Sequence, residues 1–516
     1  MKAVCGRAYD RALLAEWDNP GPRPGFEAGD EAMRFLLLGW LLMSASDYPI
    51  AAIAAAADDA TVCLEETGDE AIAACTRAIA SGDAPRHILA LLYFNRGDEF
   101  HDKGDFDRAI ADYTQAITID PNYGEAYRNR GWSLFNRGDI DRAFSDYNEA
   151  IRLNPTSALA LTRRGYARYT RGDITGALSD YDEAIRLGPE RPYYERGNVW
   201  YDQGDLDRAI ADYDQHIRLD PDFADAYRRR ADALRQKGEL DRAIADYSAA
   251  IDRGPTAAWS VYLRRGEVFE AKGEFDRAIF DYGNAISLNT KSTRAYIRRG
   301  NLYLKNGDLD RAIVDYSAAI RLNPNLAVAF RGRGNIYMQR GDRNRAIVEY
   351  TQSIKLDPKE ASSYFSRGVA RLYDRAPPDA VSDFATASEI APNDPYIALW
   401  HHIAGWRSGP SVSPAKPSSE IDLAEWPGAV LRLFRGEIMP PALLEAADSD
   451  DPEKKRARLC EAAFYVGMLK LQMGENDTAQ LQFQIAARDC PPEFIERQAA
   501  VWELDALAAT RRGSPD

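Results

Sequence analysis

The chain has 516 residues, with 80 acidic residues against 65 Lys and Arg, which gives a formal net charge of −15. This acidic balance argues against broad contact with nucleic-acid phosphates, so we expect no nucleic-acid partner. Hydrophobic residues make up 45% of the chain, enough to bury a core, and no stretch between residues 90 and 392 is long and apolar enough to span a bilayer.

The first 57 residues are typical of an N-terminal extension followed by an export signal. Residues 1–31 are polar and rich in Pro and Gly, after which one arginine precedes the apolar run Phe35–Met43. An Ala-x-Ala sequence ends at Ala57, so we predict a signal peptide over residues 33–57, with translation starting at Met33. Asp47 and Pro49 interrupt the apolar run well short of the ~20 residues that a membrane-spanning helix needs. We therefore expect no membrane span in the mature chain. A buried helix is the alternative.

Residues 90–392 repeat one pattern about every 34 residues, nine times. In each repeat, position 8 is Gly except at Ala231, position 20 is Ala, position 24 is Tyr or Phe, and position 32 is Pro except at Thr290. At 3.6 residues per turn, positions 4, 8 and 11 share one face of a first helix, and positions 20, 24 and 27 share one face of a second. A Gly-Asp pair at positions 15 and 16 suits the turn between them. Because one helical hairpin cannot bury its apolar face alone, the pattern predicts a stack of hairpins. The repeats begin at Ala90, Gly124, Ala158, Glu190, Ala224, Trp259, Thr293, Ala327 and Ala361.

These positions resemble the signature of the tetratricopeptide (TPR) repeat, continuously over residues 90–392 and in one further unit at 460–491. The resemblance implies an all-α superhelical solenoid of antiparallel helix pairs, with a concave groove lined by the first helices. Solenoids need capped ends. We interpret residues 58–86 as an N-terminal capping half-repeat, residues 393–425 as a helix and a Pro/Ser-rich linker, and residues 426–516 as a C-terminal helical cap that contains the further unit.

Two charges recur at fixed positions: position 7 is Arg and position 23 is acidic in all nine repeats. A row of arginines could bind polyanions, but the recurrence of both signs favours Arg–carboxylate pairs between helices. We therefore predict that these pairs tie the repeats together. Binding specificity should then lie where the repeats differ.

The variable positions lie on the first helices. In the TPR family, positions 2, 5, 6, 9, 12 and 13 commonly face the groove, and here they change from aromatic to basic along the chain. Such a surface could hold an extended or helical peptide, whereas solvated helix faces are the alternative. A family clamp for C-terminal carboxylates is not predicted, because Asp232 and Arg264 depart from its pattern. The candidate groove residues are Trp132, Phe135, Tyr166, Tyr169, Tyr201, Arg228, Arg235, Arg294, Arg298, Asn301, Lys305, Arg331 and Asn335.

Four cysteines follow residue 57, as two close pairs at the two ends of the array. This placement favours disulfides in an exported protein, with Cys63–Cys75 pinning the first cap and Cys460–Cys490 joining the ends of a helical hairpin. Chance placement of free thiols is the alternative. The two ends resemble exported bacterial TPR proteins related to the lipoprotein NlpI, which implies partners among envelope enzymes or proteases. The small residue that lipid attachment requires before Cys63 is missing from the sequence.

No phosphate-binding loop, zinc-ligand spacing or nucleophile motif occurs, so we predict no catalytic residue, metal or cofactor. His216 is expected to pack between helices, and the adjacent His401 and His402 would point apart on a helix. The sequence thus predicts a non-enzymatic adaptor that binds proteins or peptides in the periplasm. The alternatives are a cytoplasmic chaperone-type or secretion-apparatus adaptor, and a TPR-fused enzyme with its activity in the C-terminal region.

Overall fold

The computed structural model describes residues 50–188, 192–255, 257–374, 376–409, 421–491 and 494–512. All regular secondary structure in these residues is helical, and the chain divides into an N-terminal unit, Met1–Ala257, and a C-terminal unit, Ala258–Asp516. The predicted extension and most of the predicted signal segment 33–57 lie outside the described residues, as does most of the predicted linker.

The N-terminal unit consists of consecutive antiparallel helix pairs, each packed on the next. The first pair precedes repeat 1, and the following pairs are repeats 1 to 5. The helices are α1 (Ile50–Glu65), α2 (Gly68–Ser81), α3 (Arg86–Asp102), α4 (Phe106–Ile119), α5 (Gly124–Arg137), α6 (Ile140–Leu153), α7 (Ala158–Thr170), α8 (Ile174–Leu187), α9 (Tyr193–Asp202), α10 (Leu206–Leu219), α11 (Ala224–Gln236) and α12 (Leu240–Asp252).

The C-terminal unit continues the same architecture through repeats 6 to 9 and ends in a helical cap. The repeat helices are α13 (Ala258–Ala271), α14 (Phe275–Leu288), α15 (Thr293–Lys305), α16 (Leu309–Leu322), α17 (Ala327–Gln339), α18 (Arg343–Leu356), α19 (Ala361–Tyr373) and α20 (Pro377–Ile390). The cap helices are α21 (Pro395–Arg407), α22 (Gly428–Phe434), α23 (Pro440–Ala446), α24 (Pro452–Gln472), α25 (Asn476–Asp489) and α26 (Ile495–Arg512).

Close approach of the two helices of a pair explains the glycine at position 8. A Cβ on Gly131 would lie 2.8 Å from the ring of Tyr147, the position-24 residue of the same repeat, and this ring is fully buried. The predicted turn also forms. In repeat 1, Gly104 has a φ of 72°, in the left-handed region, and the Asp105 side chain accepts a hydrogen bond from the Arg108 backbone N–H at 3.1 Å, capping the second helix.

The predicted pairing of position 7 with position 23 is confirmed in every repeat. In repeat 3, the Nε and Nη2 groups of Arg164 donate to the two oxygens of Asp180 at 3.0 and 2.7 Å, while Nη1 reaches Asn148 of repeat 2 at 2.9 Å. One arginine thus holds its own helix pair together and ties it to the preceding repeat. The pairs are Arg96–Asp112, Arg130–Asp146, Arg164–Asp180, Arg196–Asp212, Arg230–Asp246, Arg265–Asp281, Arg299–Asp315, Arg333–Glu349 and Arg367–Asp383.

Both ends carry a cysteine pair at disulfide distance. Cys63 on α1 and Cys75 on α2 have their Cα atoms 4.7 Å apart, and helix α1 begins at residue 50, earlier than the predicted start of this cap at residue 58. In the further unit, Cys460 on α24 and Cys490 at the end of α25 have their Cα atoms 5.1 Å apart. Each pair therefore closes a terminal hairpin.

Candidate functional site

The first helices of the repeats form the inner row of each unit. In the N-terminal unit, α3 contacts α5 and α5 contacts α7, and in the C-terminal unit α15 contacts α17 and α17 contacts α19. We call the surface of these first helices the inner face of its unit. It carries the variable positions, so it is the candidate binding surface.

The inner face of the N-terminal unit holds an aromatic cluster in repeats 2 and 3. The rings of Trp132 and Phe135 stack with their centroids 5.5 Å apart, and the Tyr166 ring lies 5.3 Å from Phe135. The guanidinium of Arg163 lies 3.7 Å above the Trp132 ring, a cation–π contact. The aromatic residues that the sequence predicts for this stretch thus come together, and Arg163 is an added member that the prediction missed.

Two buried hydroxyl groups lie beneath this cluster. In repeats 1 and 5, the position-24 tyrosine donates to a carboxylate at position 9, as from Tyr113 to Asp98 at 2.5 Å. In repeats 2 and 3, position 9 is Trp132 or Tyr166, and the hydroxyls of Tyr147 and Tyr181 are buried without a partner in the described chain. A buried polar group without a partner costs about 1–3 kcal/mol, so the aromatic side chains replace hydrogen bonds that other repeats make.

The remaining candidates of the N-terminal unit are held by neighbours. Tyr169 donates to Asp202, and Gln236 donates to the hydroxyl of Tyr201. Arg228 pairs with Asp225 on the same helix and lies 3.7 Å from a carboxylate oxygen of Asp232. Arg235 lies half-buried on the same helix. The predicted basic stretch is therefore partly neutralised here, because acidic residues share helix α11 with the arginines.

In the C-terminal unit, most of the candidate cations also have carboxylate partners. Ion pairs join Arg294 to Glu267 at 2.5 Å, Arg298 to Glu270 at 3.4 Å, and Arg331 to Glu360 at 2.8 Å. Lys305 differs from these arginines. Its Nζ lies 4.2 Å above the Phe275 ring, and the described residues place no carboxylate within ion-pair distance of it.

The inner face of the C-terminal unit encloses a cavity of about 650 Å³, which we call the repeat 7–9 pocket. Its walls come from α15, α17 and α19, and the start of α26 closes one side. Four candidate residues meet in it, whereas Arg294 and Arg298 do not line it. The pocket residues that the sequence predicted are Asn301, Lys305, Arg331 and Asn335.

Two small residues explain why the cavity lies in these repeats. Position 6 of the first helix is Asn, Glu or Arg in repeats 1 to 7, such as Arg298 in repeat 7, but it is Gly332 in repeat 8 and Ser366 in repeat 9. A Cβ on Gly332 would lie 2.5 Å from the ring of Tyr316, so packing itself requires glycine there. The loss of bulk at position 6 is visible in the sequence and was the signal that our prediction missed.

The far wall of the pocket comes from a part of the chain that no repeat pattern describes. Phe494, directly before α26, and Ile495 and Gln498, at its start, line the cavity. Further along α26, Glu503 is buried and accepts a hydrogen bond from the Tyr373 hydroxyl at 2.7 Å, and Trp502 packs 4.7 Å from the Tyr373 ring. These contacts attach α26 to repeat 9, so the cap and the inner face form one surface.

A pair of buried carboxylates lies inside the cap. Glu461 accepts hydrogen bonds from Trp426 Nε1 at 2.7 Å and from the Tyr396 hydroxyl at 3.0 Å, and Glu496 accepts one from the Tyr465 hydroxyl at 2.8 Å. Burial raises the pKa of Glu461 to about 7, and burial also raises the pKa of Glu496. Because cap helices enclose both carboxyl groups, their protonation state affects the stability of the cap.

Possible metal ligands in the described residues lie apart from one another. Within these residues, no group of three His, Cys, Asp or Glu side chains is arranged to hold a metal ion. His216 packs between the rings of Tyr194 and Phe223, 5.5 and 4.9 Å away, as the sequence predicts. Burial lowers its pKa, so the ring is neutral near pH 7. None of the helices in the described part of the chain has the length and apolarity needed to cross a membrane.

Helix pairs that recur about every 34 residues and stack through the same Gly, Ala, Tyr and Arg positions define a helical repeat protein. Family models described as tetratricopeptide repeat match residues 129–192, 194–258, 260–292 and 293–326, and a model described as TPR repeat matches residues 97–135 and 334–372. These matches cover more than half of the chain. The chain belongs to the tetratricopeptide repeat family. Repeats of this family bind peptides or other proteins, so the protein is an interaction scaffold.

Several solved structures are similar to parts of the chain. YrrB, described as a TPR protein with an unusual peptide-binding site, is 23% identical to this chain, with a TM-score of 0.33. The matched region covers 36% of this chain and 95% of YrrB. The MamA protein is 30% identical over 32% of this chain and 91% of its own, with a TM-score of 0.29. Yeast Tom70 is 14% identical over 83% of this chain and 97% of its own, with a TM-score of 0.33.

Proposed function

We propose that the protein is an exported, non-enzymatic adaptor of the bacterial cell envelope. Its inner faces would hold segments of partner proteins, among them envelope enzymes or proteases, and so bring these partners together. The observation that carries the location is the pairing of all four cysteines after residue 57. Both pairs lie at disulfide distance, and each closes a terminal hairpin.

The cysteine pairs support export because of where disulfides persist. Glutathione and thioredoxin keep thiols reduced in the cytosol, whereas exported proteins keep disulfides. Cys63 and Cys460 are almost completely buried, and each faces its partner within one helix pair. A bridge in each pair would restrain two helical hairpins that lie outside the nine repeats.

The adaptor role is supported by the chemistry of the inner faces. The N-terminal unit presents the aromatic cluster of Trp132, Phe135 and Tyr166, and the C-terminal unit presents the repeat 7–9 pocket. Aromatic side chains that fill pockets are enriched at the centres of protein-binding surfaces.

Mass spectrometry of the protein isolated from its native cell tests this proposal. Intact and non-reducing peptide spectra should show a mature N-terminus near Asp58, together with the linked peptides Cys63–Cys75 and Cys460–Cys490. A chain that keeps residues 1–57 and carries four free thiols would overturn export. Partners would then be sought among cytoplasmic chaperone or secretion complexes.

A further inference from the structure

We propose that residues 494–498, at the start of α26, form a pH-sensitive latch on the repeat 7–9 pocket. The latch is closed while the buried carboxyl pair Glu461 and Glu496 keeps a proton, and it opens when both groups are ionised. Its role in the cell, control of access to the inner face, rests on the adaptor function proposed above. Three features of the cap carry the inference: the position of Glu496, the surroundings of the carboxyl pair and the anchoring of α26.

Glu496 lies on the same helical turn as the residues that form the pocket wall. Phe494 and Ile495 precede it, Gln498 follows it, and these three residues line the cavity. The Glu496 side chain is instead buried in the cap, where it is 3% exposed and accepts a hydrogen bond from the Tyr465 hydroxyl of α24 at 2.8 Å. The contact that holds Glu496 in the cap therefore also holds the wall in place.

The two carboxyl groups share the interior of the cap without a compensating cation. Glu461 is 5% exposed and accepts hydrogen bonds from Trp426 Nε1 and the Tyr396 hydroxyl. Among the described residues, no Lys, Arg or His lies within ion-pair distance of either group. Burial raises the pKa of both groups, and repulsion from Glu496 raises the pKa of Glu461 further. Ionising both groups would leave two like charges in an apolar site.

The other titratable groups around the pair do not take over its charge. Arg458, on α24, lowers the pKa of Glu461 less than burial raises it, and its Nη1 donates to the Asp448 backbone carbonyl at 3.4 Å. Burial lowers the pKa of His401 and of His402 on α21, so both rings are neutral near pH 7. The remaining charged neighbours have partners of their own: Arg497 with the Cys490 carbonyl and Arg488 with Asp489.

The second half of α26 is held by contacts that include a cation. Glu503 pairs with Arg407 of α21 and accepts a hydrogen bond from the Tyr373 hydroxyl at 2.7 Å. Trp502 packs 4.7 Å from the Tyr373 ring, and the Arg343 guanidinium lies 4.7 Å over the Trp502 ring. Glu503 thus has the compensating charge that Glu496 lacks. Loss of the first-turn contact therefore opens the start of α26 and leaves the rest of the helix on repeat 9.

Proton binding gives the sign and the size of the effect. Burial raises the pKa of Glu461 from 4.5 to about 7 in the closed state, whereas an open, solvated cap restores the ordinary value. The closed state therefore keeps a proton that the open state releases, and closing weakens as the pH rises. With these two values, linkage gives about a tenfold rise in the ratio of open to closed molecules between pH 6 and pH 8.

Hydrogen exchange of the full-length oxidised protein at pH 6, 7 and 8 tests the latch. Each rate is divided by the rate of the unstructured amide at the same pH, which gives a protection factor. Residues 499–502 report on opening, because their amides bond to the carbonyls of residues 495–498, and residues 505–510 report on the anchored half. Protection of residues 499–502 should fall about tenfold from pH 6 to pH 8, while that of residues 505–510 stays within about twofold. Equal falls in both segments, or no fall in residues 499–502, overturns the latch.

Glutamine variants assign the effect to the carboxyl pair. Glu461→Gln keeps an acceptor for Trp426 and Tyr396 and removes the titrating group, so it should abolish the tenfold fall. Glu496→Gln should do the same while keeping an acceptor for Tyr465, so the test does not depend on one variant. Glu437→Gln is the matched control, since Glu437 is an exposed acid of the same cap, and it should retain the fall.

Each result with these variants bears on the pair. A tenfold fall that persists in both Glu461→Gln and Glu496→Gln, or its loss in Glu437→Gln, overturns the assignment. Far-UV circular dichroism at pH 6 verifies that the variants fold. The exported adaptor is tested separately by the cysteine state and the mature N-terminus, so the two proposals fail independently.

Discussion

Replacing Gly334 by alanine should destabilise the C-terminal unit, although alanine is the better helix former. A Cβ at this position would lie 2.5 Å from the Tyr350 ring, which is 1% exposed and whose hydroxyl donates to Asn335. The ring cannot retreat without losing that bond. Overpacking of this kind costs about 1–3 kcal/mol, and the helix gains about 0.5–1 kcal/mol from alanine, so we expect a net loss centred near about 1 kcal/mol.

Gly300→Ala is the matched control at the same repeat position. Its Cβ would lie 3.4 Å from the nearest atom, in Asp315, an ordinary contact, so the substitution should stabilise by about 0.5–1 kcal/mol. Urea unfolding of the full-length oxidised protein, followed by circular dichroism, compares the two variants. Because repeat arrays can unfold in parts, hydrogen exchange of α17 and α18 amides provides the local measurement. Equal stability of the two variants would contradict the close packing that we assign to Gly334.

Three further perturbations follow from the contacts. Asp383→Ala leaves the guanidiniums of Arg367 and Arg371 without their shared carboxylate, and it should lower the free energy of unfolding in urea by about 3–5 kcal/mol. Asp310→Ala removes an exposed ion pair with Arg340 and should lower it by less than about 1 kcal/mol. Replacing both Cys63 and Cys75 by serine should lower stability by about 2–4 kcal/mol, seen as faster hydrogen exchange in α1 and α2. Stability of the C-terminal cap should fall as the pH rises from about 4.5 to about 7, and Glu461→Gln should reduce that dependence.

The sign of the pH effect follows from proton binding. Because burial raises the pKa of Glu461 from 4.5 to about 7, the folded cap keeps a proton that the unfolded chain releases between these values. Stability is therefore lost as the pH rises through this window and levels off above it. A cap that becomes more stable across the window, or an unchanged slope in Glu461→Gln, would contradict the buried carboxylate. Equal costs for Asp383→Ala and Asp310→Ala would contradict the difference in burial between the two pairs.

Local repetition made much of the fold predictable. Gly at position 8 and Tyr at position 24 recur because they touch, and Arg at position 7 and an acid at position 23 recur because they pair. Such contacts occur within one repeat or between neighbours, so the sequence period reveals them. Residue types that vary on the same helices, such as Trp132 and Tyr166, could likewise be assigned to the inner face.

The rest of the site depends on contacts that have no period. Phe494 lines the same pocket as Arg331 because the cap helices bring α26 back to repeat 9, and no repeated residue signals that path. The pairing of Arg294 with Glu267 likewise depends on the relative placement of repeats 6 and 7. The basic stretch that the sequence suggests is accordingly mostly a set of ion pairs in the described residues, with Arg235 and Lys305 as exceptions.

The most direct test of the scaffold is photo-crosslinking in the native cell from two valines of repeat 8. Val328 lines the repeat 7–9 pocket on α17, and Val348 lies on α18, where its side chain is 67% exposed. With a photoreactive residue at each position in turn, position 328 should crosslink to a discrete partner segment, and position 348 should not. The same partner captured equally from both positions, or no crosslink from position 328, would contradict binding through the inner face.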